Sequence, residues 1–171
     1  MSFFRSGKSS LLEALTGVQF PVKSGTCTRV PIRVRCRKAD DCGTFIIQRG
    51  GPERRLEPAE VGKEIGEAQA AAILEGGGKG FSKRSLHLEA RGPEQMELIL
   101  VDLPGLIHHG PDVDAVTRMV ESFVARPQAL ILLVGEAKQD TELAAALALA
   151  EKHDPTGKRT LRECQQTTLY Y

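Results

Sequence analysis

Apolar residues along the chain change period several times, and each change marks an element. Ser9 to Thr16 predicts a short helix, with Leu11, Leu12 and Leu15 on one face and Gly17 as its stop. From Arg29 to Gln48 the pattern is that of a β-hairpin. Val30, Ile32 and Val34 alternate, residues 39–43 supply turn chemistry, and Thr44 to Ile47 resumes a strand. Leu56 to Glu75 returns to the helical period through Val61, Ile65, Ala68 and Ala72, with Pro58 near the first turn. Ser85 to Ala90 alternates as a strand. Met96 to Val101 is almost continuously apolar, which predicts a strand buried on both faces. Asp112 to Val124 predicts an amphipathic helix and Ala129 to Val134 a further buried strand. Thr141 to Lys152 predicts an Ala-rich helix. Helices alternating with buried strands predict an α/β fold with a mainly parallel sheet and flanking helices. Residues 161–171 are polar without a period and are expected to be a divergent, disordered tail beyond a domain of residues 1–160.

Composition narrows the class without naming a chemistry. The chain has 171 residues, enough for one domain with a real core. Its formal net charge is +1, so bulk electrostatics gives no case for nucleic acid as a partner. Its 4 cysteines lack metal-site spacing, and free thiols in a reducing compartment are expected. No stretch approaches the ~20 apolar residues of a membrane span. The first ten residues lack the apolar core of a signal peptide, so a cytoplasmic address is expected.

The chemistry begins at Ser6-Gly7-Lys8-Ser9-Ser10. Gly-Lys-Ser opening a helix is the second half of a P-loop, G-x-x-x-x-G-K-S/T. A glycine lets backbone approach phosphate oxygens, and the helix start presents free N–H groups. Lys8 offers a point charge to the β and γ phosphates, and the Ser9 hydroxyl can ligate Mg²⁺. Asp102 follows the apolar run Met96 to Val101 and opens Asp102-Leu103-Pro104-Gly105, a D-x-x-G. The carboxyl end of such a strand is where an open α/β sheet places its ligand. The carboxylate suits a Mg²⁺ site, and the Gly105 N–H suits a γ-phosphate. The polar loop of residues 23–29 offers Thr28, with Thr26 competing, as the threonine that switch GTPases lend to Mg²⁺ and the γ-phosphate.

The stretches SGKSSLLEALTG, FPVKSGTCTRVPI, LILVDLPGL, MVESFVARPQALILLV and LALAEKHDPTGKRT occur in that order. In this the chain resembles the dynamin superfamily of large GTPases. The resemblance implies a P-loop NTPase fold of the Ras-like type, with GTP as substrate, Mg²⁺ as cofactor and hydrolysis as the reaction. It implies self-assembly and membranes as partners, microtubules as a further partner class, and a location peripheral to membranes. By position, Gly7, Lys8 and Ser9 match the family's P-loop end, with Ser6 and Ser10 beside them. Thr28 matches its switch threonine, and Asp102 and Gly105 match its D-x-x-G. Lys8 and Thr28 are thereby the candidate catalytic groups, and Ser9, Thr28 and Asp102 the candidate metal ligands. Ras-like enzymes place a water-orienting glutamine directly after D-x-x-G. Leu106 stands there instead, as the dynamin-like pattern also lacks that glutamine.

Three departures qualify the resemblance. Ser2 stands where the P-loop needs its first glycine, and Phe4 and Arg5 stand where the family carries glutamine and serine. Only four residues precede that loop in place of a strand. No T-K-x-D, the usual guanine reader, occurs anywhere in the chain. The expectation is an incomplete domain, lacking its first strand and its guanine-motif strand. GTP turnover would then be impaired, and an inactive fragment acting by protein–protein association is the alternative.

Overall fold

A computed structural model describes residues 8–18, 20, 28–47, 53–75, 80–82, 84–136 and 141–165. They fall into two compact units, one within residues 9–104 and one within residues 105–165.

The first unit carries α1 (Lys8–Thr16), β1 (Ile32–Lys38), β2 (Gly43–Ile47), β3 (Glu53–Leu56), α2 (Pro58–Glu75), β4 (Leu86–Gly92) and β5 (Leu98–Asp102). The strands form one sheet in the order β3-β2-β4-β1-β5. β1 alternates cleanly, with Ile32, Val34 and Cys36 buried and Arg33, Arg35 and Arg37 exposed. Its buried side meets Leu12 of α1, Val18, Phe20, and Val61 and Ile65 of α2 in one apolar core. α1 ends at Gly17, whose φ of +69° fits the left-handed cap that only glycine adopts freely. The amide of Gly17 donates to the carbonyl of Glu13, and the Gln95 side chain donates to that of Thr16, so the helix end is satisfied.

Three expectations for this unit are corrected. The sheet is mixed rather than mainly parallel. β1–β4 is parallel, whereas β1–β5, β2–β3 and β2–β4 are antiparallel. Parallel pairing needs a long crossover, and between β1 and β4 the chain supplies one through β2, β3 and α2. Second, β1 and β2 do not pair as a hairpin, because β4 lies between them. β4 has the stronger claim to the centre, with Leu88, Glu89 and Ala90 all buried. Third, β5 is not buried on both faces. It is the last strand of the sheet among the described residues, and Ile99 is 49% exposed.

Arg91 ties the far side of this sheet. Its guanidinium meets Glu89 of its own strand, Glu53 of β3 and Asp41 of the turn, and lies 4.2 Å from the centre of the Phe45 ring. It faces Gly43 across the β2–β4 ladder. The hydrogen bond from Arg91 holds the Glu53 carboxyl below its ordinary range. Glu53–Leu56 did not read as a strand because three of its four residues are charged. Cys36 and Cys42 are free, and burial pushes the Cys36 thiol pKa up.

The second unit carries α3 (Val113–Val124), β6 (Ile131–Glu136), α4 (Thr141–His153) and β7 (Thr160–Gln165). Ile131 and Leu133 of β6 pack on Ala150 of α4, with Val124, Leu143 and Leu147 around them. β6 is buried on one side only, since Leu130 is 76% exposed and Leu132 also faces out. β7 pairs parallel to β6 from Thr160 to Gln165, so the expected disordered tail is ordered through residue 165. The strand following the Ala-rich helix is therefore present, and what it lacks is the T-K-x-D sequence. Backbone ladders do not depend on side-chain type, which is why Arg162, Glu163 and Gln165 concealed it. The expected absence of a strand before the P-loop concerns residues outside those described.

Arg159 delivers β7 to its place. Its guanidinium donates to the carbonyls of Val124 at 2.9 Å, Ala129 at 2.9 Å and His153 at 2.6 Å. Two of these lie at the C-terminal ends of α3 and α4, where carbonyls lack helical partners and a cation is favoured. Asp154 accepts from the Arg159 amide and the Thr160 hydroxyl, while the Ile131 amide donates to the Arg159 carbonyl. Gly157, at φ +65°, makes the turn between them.

Replacing Arg159 with alanine strands three carbonyls and should cost about 2 kcal/mol of stability, read from urea unfolding. The Thr160 hydrogen bond, aided by the Arg159 amide, holds the Asp154 carboxyl below its ordinary range. A depressed folded pKa gives stability that is present above the unfolded value of about 3.9 and lost as pH falls through the folded value. The gap in urea midpoint between wild type and Asp154→Asn should accordingly be open at pH 7 and close in acid below that window.

Candidate functional site

The site is assembled by β5 and by the segment leading into β1. Ile32 and Asp102 face each other in the antiparallel β1–β5 ladder. The chain four residues before Ile32 therefore passes the carboxyl end of β5. There the Thr28 hydroxyl donates to Oδ2 of Asp102 at 2.5 Å, across 74 residues of sequence. Both side chains are buried, Asp102 at 2% exposure. A hydroxyl bonded to a carboxylate at this length is a charge-assisted hydrogen bond. A carboxylate removed from water without such donors costs several kcal/mol, so this pairing is a condition of its burial.

Of the residues named from sequence, the structure thus brings Thr28 and Asp102 together. Lys8, Ser9 and Ser10 form the first turn of α1, the position at which a helix presents unpaired N–H groups to an anion. Ser6, Gly7 and the competing Thr26 lie outside the described residues. Gly105 is half-buried, three positions after Asp102. Leu106 is buried, so the place of the water-orienting glutamine holds an apolar side chain turned away from solvent. His108 and His109 are both exposed.

Sequence reasoning missed the groups that hold the Thr28 segment. The amide of Arg29 donates to Oε1 of Gln69 in α2 at 3.0 Å, and the amide of Ser82 donates to the Arg29 carbonyl at 3.2 Å. Gln69 could have been found as the polar residue on the otherwise apolar stripe Val61, Ile65, Ala72.

The donor set suits a hard divalent cation. A hydroxyl and a carboxylate oxygen converge at one buried point, and Mg²⁺ takes one or two protein oxygens while keeping water and phosphate oxygens for the rest. A double-mutant cycle of Thr28→Val and Asp102→Ala, followed by urea unfolding without nucleotide, should give a coupling of about 1–3 kcal/mol. Additive effects would mean that the bond contributes nothing.

The model of the Dynamin family, Dynamin_N, matches residues 3–162. The chain is 34% identical over 165 residues to interferon-induced GTP-binding protein Mx of Solea senegalensis, covering 91% of this chain and 26% of that protein. It is 34% identical to Mx1 of Bos taurus, covering 91% of this chain and 25% of the relative. To Mx2 of Homo sapiens it is 33% identical, covering 91% and 23%. The chain thus spans about a quarter of the length of these relatives. Among solved structures it is similar to an oligomerised bacterial dynamin pair described as a mechanism for long-range sensing and tethering of membranes. The TM-score is 0.53 at 20% identity, over 96% of this chain and 24% of that one, a likeness of fold. With a family match over nearly its whole length and an α/β fold that agrees with it, the chain belongs to the dynamin family.

Proposed function

We propose that this chain binds GTP with Mg²⁺, and that the reaction of its site is hydrolysis of GTP by water. The observation that carries this reading is the buried Thr28–Asp102 bond, which joins the switch-threonine candidate to the D-x-x-G aspartate. The names of the Mx relatives, which are GTP-binding proteins, support the nucleotide. Lys8 holds the β and γ phosphates, with Ser6, Gly7 and Ser10 around them. Ser9, Thr28 and Asp102 are the residues that would hold Mg²⁺. The Gly105 N–H meets the γ-phosphate. A bound Mg²⁺ supplies neutralising charge to the phosphate oxygens. The protein side of the chemistry is positioning. The resting Thr28–Asp102 hydrogen bond keeps the two side chains together at the point where they would hold the cation.

The family setting extends the proposal to self-assembly on membranes and their remodelling, with the chain cytoplasmic and peripheral to the bilayer. The description of the bacterial structure as tethering membranes supports it. Among the described residues no helix is long and apolar enough to cross a membrane.

A second reading is favoured by specific residues. Ser2, Phe4 and Arg5 replace the glycine, glutamine and serine of the family's loop, and no T-K-x-D occurs. In this reading the chain binds nucleotide weakly, turns it over poorly and acts by protein–protein association.

Titration with a fluorescent GTP analogue, with and without Mg²⁺ and against the ATP analogue, separates the two. Micromolar, GTP-selective, Mg²⁺-dependent binding that Lys8→Ala abolishes is the expected result. No binding, or equal ATP binding, would sink the enzyme reading. If the loop replacements limit turnover, Phe4→Gln with Arg5→Ser should raise kcat by on the order of 10²–10³, the usual effect of restoring one preorganised charge-stabilising contact. A single-turnover assay reads it.

A further inference from the structure

Gln69 is a polar residue where the helix pattern calls for an apolar one. Val61, Ile65 and Ala72 define the buried stripe of α2, and Gln69 falls on it at 6% exposure. Burying an amide side chain is unfavourable unless it is hydrogen-bonded. Its Oε1 accepts a hydrogen bond from the backbone amide of Arg29, 40 residues earlier in the chain, at 3.0 Å.

That amide is one edge of the peptide unit between Thr28 and Arg29. The unit is planar, so fixing the direction of the Arg29 N–H fixes the plane that leaves the Thr28 Cα. The Arg29 carbonyl is held in turn by the Ser82 amide at 3.2 Å, and the Pro31 carbonyl by the Leu86 amide at 2.8 Å. Thr28 is thus the first residue of a stretch whose backbone is pinned from two sides, by α2 and by the chain entering β4. Its one side-chain rotor then carries the hydroxyl to Asp102.

We propose that Gln69 is a positioning residue. It sets the Thr28–Arg29 peptide plane, and through it the Thr28 hydroxyl, for the Mg²⁺–triphosphate state. The proposal rests on the nucleotide-binding reading given above and deepens it. A threonine that serves the γ-phosphate distinguishes triphosphate from diphosphate. A group that holds it preordered raises affinity for the triphosphate alone, because the diphosphate does not use it. Gln69 therefore acts on nucleotide discrimination rather than on overall nucleotide affinity.

Three variants test this. Gln69→Met keeps length and flexibility but has no good acceptor. Gln69→Glu keeps the acceptor. Thr28→Val marks the full effect of losing the hydroxyl. The readouts are hydrogen exchange at the Arg29 amide and affinities for a fluorescent non-hydrolysable GTP analogue and fluorescent GDP, both with Mg²⁺. Gln69→Met should speed Arg29 exchange by about tenfold, the worth of one lost hydrogen bond, with the Val34 amide unchanged. It should lower the triphosphate-to-diphosphate affinity ratio by about the same factor, through weaker triphosphate binding alone. Gln69→Glu should restore both. Unchanged Arg29 exchange overturns the proposal, as does an unchanged ratio despite faster exchange. An equal loss of both affinities overturns it too, since that marks a merely structural role.

A wild-type chain that binds neither nucleotide is instead the failure of the functional reading. Coupling between Thr28 and Asp102 then decides. Its loss in the Gln69→Met background supports positioning, and its persistence there overturns it.

Discussion

Asp102 closes a strand of apolar residues, in a place from which water is almost excluded. A carboxylate is tolerable there only when donors reach it, and one of them is a threonine 74 residues earlier. That requirement orders the rest of the first unit. Thr28 can reach Asp102 because Ile32 lies opposite Asp102, and Ile32 lies there because the apolar side of β1 is locked against α1 and α2. A one-residue slip of β1 would turn Arg33 and Arg35 into the core and carry Thr28 away from the carboxylate. The buried polar pair and the apolar core therefore specify the same register from opposite directions.

The sheet order serves the same end. By lying between β1 and β2, β4 receives the Ser82–Leu86 approach that holds the backbone just after Thr28. Its other end carries Arg91, whose carboxylate partners on β3 and in the turn after β1 tie those segments to β4. In the second unit Arg159 has the corresponding task. One guanidinium satisfies the ends of two helices and brings β7 alongside β6. In each unit an arginine whose planar donors match several acceptors at once does what isolated surface ion pairs do poorly.

Much of this was legible in the residues. α1, α3 and α4 follow from their periodicity and stops, and β4, β5 and β6 from their apolar runs, to within a few residues. Thr28 and Asp102 are candidates by their place in the chain, and the bond between them is what the structure adds. What was not legible is pairing. Val30, Ile32 and Val34 show that a strand exists, but nothing local shows that β4 will separate it from β2. β3 and β7 were hidden because their ladders are made by backbone while their side chains are charged or polar. Gln69 stands out as a polar residue on an apolar stripe, but its partner is a backbone amide that no side-chain pattern can announce.

Under the proposed function, Thr28 and Asp102 form one cation site rather than a structural hydrogen bond alone. Paramagnetic broadening by Mn²⁺, standing in for Mg²⁺ in the presence of a non-hydrolysable GTP analogue, tests it by NMR on the labelled chain. The account predicts that the resonances of Thr28 and Asp102 broaden together at low Mn²⁺. It also predicts that this broadening requires the nucleotide and disappears in Asp102→Ala. Broadening centred elsewhere in the chain, or spared at Thr28 while the nucleotide is bound, would contradict it.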